Sequence, residues 1–574
     1  MAANSTTSLL LLPPIPRNNR KGSDLVDRVL SNSVGQSSFE CGLKVYSVPR
    51  RVFDGIQAIR CFKSNGLAKS QGDCRGDDVS CSAFAPTDLG RSKLLDTSSN
   101  SMNDFERQLQ EFFDEVKAML KKGNVKGAID LLKANYEVVK EQMDAGNKGM
   151  EQAALLDVIA LGYMGVGNIK TVTRLLEMLK EIITTREDNE PFMDSVLIHM
   201  GSMYTHIGKF GDAILMHGRS LKILEGLYGQ SSPFLIIPLL GIAKVYTSIT
   251  RASKAIDAYH RAITILEMSK GAGREDIVVP LLGLGNLLLR EGKAAEAVNS
   301  FSRIFKIYEE LYGENDGRTG LAMCSLAHAK SAQGDLDEAI LLYNKGLQVI
   351  KDSEYMSSDD EVIEKIRIDF AELLHAAGRQ QEGRKLLEEC LLIAEKYDGK
   401  GHPSLVTHLI NLATSYSRSK NFVEAERLLR SGLRIMQKAV GHDDQSITVP
   451  MLHLAVTLYH LNCDTEAEYL AMEVVRIREE AFGKESLLVG EALDCLVSIQ
   501  TRLDKDDAET LALLKRVLSI QQRELGEESE EVMLTMRKVL FYLNKMGRRD
   551  EKLLLERNCP CSEESSNKRL NGNA

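Results

Sequence analysis

A single local pattern returns along this chain at nearly constant intervals. Anchored on Tyr416 within LATSYSRSKNFVEAE (412–426), it recurs around Met119, Tyr163, Tyr204, Tyr246, Leu288, Lys330, Leu374, Leu458, Gln500 and Leu543, with 41 to 44 residues between neighbours. A period of that length builds an array of small units, because each is too small to bury its apolar face alone and must stack on the next. A chain of 574 residues is in any case too long for one compact core.

The repeated residues have packing roles. Three before the anchor stands a small residue, as in Ala160, Gly201, Ala243, Gly285, Ala327, Ala371, Ala413 and Ala455; nine after it stands Ala128, Ala213, Ala255, Ala297, Ala339, Ala425 or Ala467, with Gly383 in one unit. Small side chains at facing sites let two helices approach closely. Four after the anchor come Gly123, Gly167, Gly208, Gly292, Gly334, Gly378 and Gly547, where a helix end needs an unhindered backbone. Leu409, Leu412, Ala413 and Tyr416, then Ala425, Leu428, Leu429 and Ile435, keep helical rather than strand spacing, so each unit reads as a helical hairpin. Gly229, Gly271, Gly313, Gly399, Gly441, Gly483 and Gly526 close the second helices. Pro238, Pro280 and Pro450 fall in the first turn of the following helix, where a missing N–H costs little.

Composition narrows the function classes. No apolar run approaches the ~20 residues of a membrane-spanning helix, so none is expected. The ten Cys include no C-x-x-C pair; Cys559 and Cys561 form a C-P-C that is a candidate redox or metal pair, set against plain unpaired thiols. Residues 1–70 hold 10 Lys/Arg against 4 Asp/Glu, a net +6 in a chain of −9, so residues 71–574 carry −15. An acidic body repels phosphate backbones, and nucleic acid is not an expected partner.

The first hundred residues are different material. MAANSTTSLLLLPPIPRNNRKGS has hydroxyl residues at Ser5 to Ser8, no acid before Asp24, and its first cations at Arg17, Arg20 and Lys21, the composition of an organelle transit peptide. It resembles a chloroplast transit peptide over 1–61, with Ile59-Arg60-Cys61 or Val79-Ser80-Cys81-Ser82 as the cleavage context. A mitochondrial or cytoplasmic address is the alternative. Residues 62–103 read as a disordered linker and 557–574 as a disordered tail.

GSMYTHIGKFGDA (201–213) resembles the tetratricopeptide repeat, and the 42-residue period together with GKGHPSLV (399–406) is similar to the kinesin-light-chain type. The resemblance spans 104–556. It implies an all-α, right-handed superhelical solenoid of ten to eleven hairpins whose first helices line a concave groove. It further implies that solvent-facing groove positions lie five and two before the anchor and one and two after it. Those positions give His199, Ser202, Lys244, Asn286, Arg290, His328, His375, Asn411, Arg418, His453, Tyr459 and His460 as candidate protein-binding residues. Asn411 stands where such repeats place an Asn that hydrogen-bonds an extended peptide. The carboxylate clamp of chaperone-tail binders needs a Lys six before the anchor, where this chain has Ile198, Leu240, Leu282, Ile368, Ile410 and Leu452.

No catalytic residue, cofactor site or metal site is expected. Gly283-x-Gly285 lies inside a helical unit rather than after a strand, and no Walker loop, G-x-S-x-G or H-E-x-x-H occurs. The pairs His199/His206 and His453/His460 are seven residues apart, ~10.5 Å of helix rise, too far to share one ion. The expected function is therefore a plastid protein-interaction scaffold, stromal or peripherally thylakoid-associated. By analogy with organellar relatives it would assist assembly or stabilisation of a multisubunit photosynthetic complex. A cytosolic cargo adaptor and an organellar RNA-binding repeat protein are the competing classes; the adaptor family carries a long coiled coil, against which FERQLQEFFDEVKAMLKK (105–122) is short.

Overall fold

The computed structural model describes residues 96–270, 275–527 and 529–557. These fall into two compact units, one ending at Glu314 and the other beginning at Asn315. The first holds α1 (Asp96–Lys121), α2 (Val125–Asp144), α3 (Met150–Val166), α4 (Ile169–Thr184), α5 (Met193–Ile207), α6 (Phe210–Tyr228), α7 (Ile236–Ser248), α8 (Ala252–Lys270), α9 (Val278–Arg290) and α10 (Ala294–Tyr312). The second holds α11 (Gly317–Gln333), α12 (Leu336–Asp352), α13 (Glu361–Ala376), α14 (Gln380–Asp398), α15 (Leu405–Arg418), α16 (Phe422–Val440), α17 (Thr448–His460), α18 (Asp464–Phe482), α19 (Leu487–Arg502), α20 (Asp507–Leu525), α21 (Glu530–Lys545) and α22 (Arg549–Arg557). Every anchor lies in an odd helix, and no strand occurs among the described residues. The transit-peptide reading of 1–61, most of the linker, the C-P-C pair and Gly271 lie outside the described residues. The first helix begins at Asp96, upstream of the expected boundary at 104, with its buried apolar face starting farther on at Phe113 and Val116.

Within each unit every helix packs on the next. Successive odd helices also touch, α1 through α9 in the first unit and α15 through α19 in the second, so the odd helices form an inner layer. The small residues occupy those crossings. Ala160, Ala243, Ala327 and Ala455 before the anchors, and Ala128, Ala213, Ala255, Ala297, Ala339, Ala425 and Ala467 after them, are 0% exposed. Thirteen residues after the anchor a ring fills the space those small residues leave: His217 lies against Gly201 of its own hairpin and Gly241 of the next, where an added Cβ would fall 2.7 and 2.5 Å from the imidazole, and Phe301 lies on Gly285 in the same way. The closest approach is α11 on α12. A Cβ on Gly346 would stand 2.8 Å from the Gly320 carbonyl oxygen and 2.6 Å from Cys324 Sγ.

The glycines four after the anchor all take positive φ, between 71 and 97°. Where the repeat lacks that glycine the geometry persists: Thr250, Lys420, Asn462 and Asp504 have φ of 56, 61, 62 and 55°. The hairpin, rather than the residue, dictates the left-handed turn, and the β-branched Thr250 is the most strained of the four.

A second period is written in charge. Arg261 donates to Glu225 Oε1 at 2.5 Å and Arg303 to Glu267 Oε1 at 2.5 Å, each arginine reaching back to the previous even helix. Arg219 begins the series by gripping Asp188 and the carbonyls of Ile183 and Arg186. In the second unit Arg516 pairs with Glu479 and Arg476 with Asp443. These pairs are partly exposed, so each adds little stability alone; they fix how far one hairpin is rotated on the next.

Urea unfolding of two variants tests this packing. Gly346→Ala destabilises by about 1–3 kcal/mol because the backbone facing it cannot yield, whereas Thr250→Gly stabilises by about 1 kcal/mol by relieving the left-handed turn.

Candidate functional site

The twelve residues singled out by register divide between the units. His199, Ser202, Lys244, Asn286 and Arg290 belong to the first, and His328, His375, Asn411, Arg418, His453, Tyr459 and His460 to the second. Each unit carries its own set. Ser202, Lys244, Asn286, His328, His375, Asn411, Arg418, Tyr459 and His460 are half-buried, consistent with a recessed face.

Two expected solvent-facing residues are instead buried. His199 is 7% exposed and His453 8%. In these two repeats the side chain five before the anchor packs toward the adjoining odd helix and is enclosed, whereas Asp369 and Asn411 at the same position are half-buried. His199 Nδ1 lies 2.6 Å from Asp157 Oδ2, one repeat earlier. Burial raises the Asp157 carboxyl above its ordinary range, and the imidazole partly offsets this. Far along the chain the same device recurs as Lys538 Nζ donating to Asp494 Oδ1 at 2.6 Å, both groups buried. These pairs hold successive odd helices in register; neither was legible from the repeat, which reads five before the anchor as solvent-facing and six before it as apolar.

Arg290 is also a structural residue. It donates to the Thr247 carbonyl at 2.8 Å, satisfying an orphan acceptor at the end of α7. Arg502, at the same register, donates to the Tyr459 carbonyl, pairs with Asp464 and covers the Tyr459 ring at 3.4 Å. His460 is stacked on Phe422 with ring centroids 4.7 Å apart. His328 Nδ1 lies 3.3 Å from the Tyr343 hydroxyl, whose ring stacks on Phe370. Arg384 lies over the Tyr416 ring at 4.1 Å.

What the inner face offers is unmatched hydrogen-bonding capacity. Among the described residues, fifteen have a buried polar side-chain atom without a partner, and seven of them occupy the four inner positions: His199, Thr247, Asn286, Asp369, His375, Thr414 and His460. Those positions are a small fraction of each repeat. A buried polar atom left unpaired costs about 1–3 kcal/mol, so each of these groups is costly where it stands. Asp369, Glu372 and Thr414 were not singled out from sequence, although they stand five and two before their anchors.

Burial also sets the protonation of titratable groups within the two units. His217, His328, His375, His453 and His460 are each pushed down to about 4, chiefly by desolvation and secondarily by a nearby Lys or Arg. Desolvation lifts Asp369 to about 7 against the pull of Lys365, and Glu491 to about 7 against that of Arg478. The histidines contribute stability that is present above 6.5 and lost as pH falls through 4. The two carboxylates contribute stability that is present below their unfolded values and lost as pH rises through 7. Five histidines outweigh the four raised carboxylates, Asp157 and Glu372 included, so the urea midpoint peaks near pH 6.5 and falls toward pH 4. His453→Gln makes that acid limb shallower by one proton's worth, about 1.4 kcal/mol per pH unit.

Models of the tetratricopeptide repeat match residues 276–352, 363–438 and 451–487. No curated protein matches the chain. Among solved structures, the TPR-like repeats of a kinesin light chain candidate from Podosopora anserina are 23% identical, over 35% of this chain and 93% of that one, with a TM-score of 0.32. BtubC (BKLC) from P. vanneervenii is 18% identical over 41% and 91%, with a TM-score of 0.34, and the apo form of RapI is 12% identical over 69% and 98%, with a TM-score of 0.43. Residues 276–352, 363–438 and 451–487 are thus tetratricopeptide repeats, set within an array of helical hairpins.

Proposed function

We propose that this chain is a non-catalytic scaffold that holds an extended polypeptide segment along the inner face of its odd helices. The tetratricopeptide-repeat architecture supports protein interaction, and the observation that carries the finer reading is the concentration of partnerless polar atoms at the four inner positions. An extended segment presents N–H and C=O groups along its length. Asn286, Asp369, His375 and His460 are half-buried, and the soft terminal torsions of such side chains can swing an unpaired atom toward a ligand at little cost. Asn411 adds an amide able to donate and accept at once.

The address is plastid and the role assembly or stabilisation of a multisubunit complex. The basic, hydroxyl-rich and initially acid-free opening supports the first, and analogy with organellar repeat proteins the second. A motor-cargo adaptor is disfavoured because Phe113 and Val116 of the candidate coiled-coil segment are committed to the first hydrophobic core. The −15 body weighs against RNA.

Residues 1–100 fused to a fluorescent protein should enter plastids; a diffuse cytosolic signal would remove that address. A partner captured from that compartment should bind Asn286→Ala/Asn411→Ala at least tenfold more weakly, with the thermal melt unchanged. Undiminished affinity would remove the inner face as the binding surface.

A further inference from the structure

We infer that the second unit receives a bipolar extended segment, a lysine or arginine of the ligand entering between Asp369 and Glu372 and an acidic side chain meeting Arg418. The inference rests on the reading of the inner face as a peptide groove and names the partner chemistry that groove selects.

Charges elsewhere in this unit are largely consumed within the protein. Arg430 bridges Glu426 and Glu466, Arg478 holds Glu491, Arg502 holds Asp464 and Lys538 holds Asp494. Asp369, Glu372 and Arg418 stand in no ion pair among the described residues. Arg418 is the instructive case: its register counterparts Arg290 and Arg502 each cap a carbonyl of the preceding odd helix, and Arg418 makes no such bond. It acts on Glu372 and on His375 only through its field.

The acidic half is equally unsettled. Asp369 keeps one buried oxygen without a hydrogen bond, and burial holds its carboxyl at about 7 although Lys365 lies one turn away. A cation placed against it would supply the missing bond and restore the ionised form. Thr414, 4% exposed, occupies on α15 the position that Glu372 occupies on α13, and its hydroxyl too lacks a partner. Two faults in hydrogen bonding and three unpaired charges thus share one register on neighbouring odd helices.

Their spacing sets the ligand's pattern. Asp369 and Glu372 are one helical turn apart on α13, and Arg418 on α15 acts on Glu372 through its field, a reach on the order of 10 Å. An extended chain covers that distance in about three residues. The basic and acidic residues of the ligand should therefore stand roughly three positions apart.

Fluorescence anisotropy with four labelled decapeptides, identical except for two positions three apart, tests this on the full chain. The positions carry Lys and Glu, Lys and Ser, Ser and Glu, or Ser and Ser. The Lys/Glu peptide should bind at least tenfold more tightly than Ser/Ser. Asp369→Asn/Glu372→Gln should abolish only the preference for Lys, and Arg418→Gln only the preference for Glu, with circular dichroism melts confirming folding. Equal binding of all four peptides, or preferences that survive in the variants, would overturn the bipolar inference while leaving the groove. Absence of binding by every peptide would overturn both.

Discussion

The contact of small residues across each helical hairpin is the constraint on which this structure depends. Alanine or glycine three before the anchor and nine after it brings two helices close enough for the side chain thirteen after the anchor, a ring in His217 and Tyr259, to wedge into the next hairpin. No hairpin closes a core by itself. Burial becomes continuous only when hairpins stack, as it does from Phe113 to Val245 in one unit and from Ala371 to Ile499 in the other.

Stacking has an electrostatic counterpart. Partly exposed arginine–carboxylate pairs between even helices fix rotation, while the buried pairs Asp157–His199 and Asp494–Lys538 join odd helices at equivalent places. A buried pair is a poor source of net stability but a strict one of register, since any slip leaves a charge or dipole in an apolar surrounding. With so many charges committed, those left uncommitted on the inner face of the second unit acquire meaning. On the proposed reading, a ligand would meet a surface whose structural charges are already satisfied and whose remaining ones discriminate.

The hairpin count, the left-handed turns and the small crossing residues were all legible in the sequence, because the same geometry recurs and selects the same residue types each time. Even the departures are informative: Thr250 and Lys420 stand where glycine is expected and adopt its backbone anyway. The inner face was legible only in part. Register located Asn411 and Arg418 but could not separate Arg418 from Arg290, since both are arginines two after an anchor and only one finds a carbonyl to cap. Register also assigned His199 and His453 to solvent, where the neighbouring odd helix encloses them.

By itself the sequence determined that this chain is an array of helical hairpins, because period and side-chain size are properties of residues taken in order. Which polar groups are paired inside the protein and which are left unpaired was decided by tertiary structure alone. Burial and pairing depend on what the adjacent hairpin brings within reach, and no spacing along the chain encodes that.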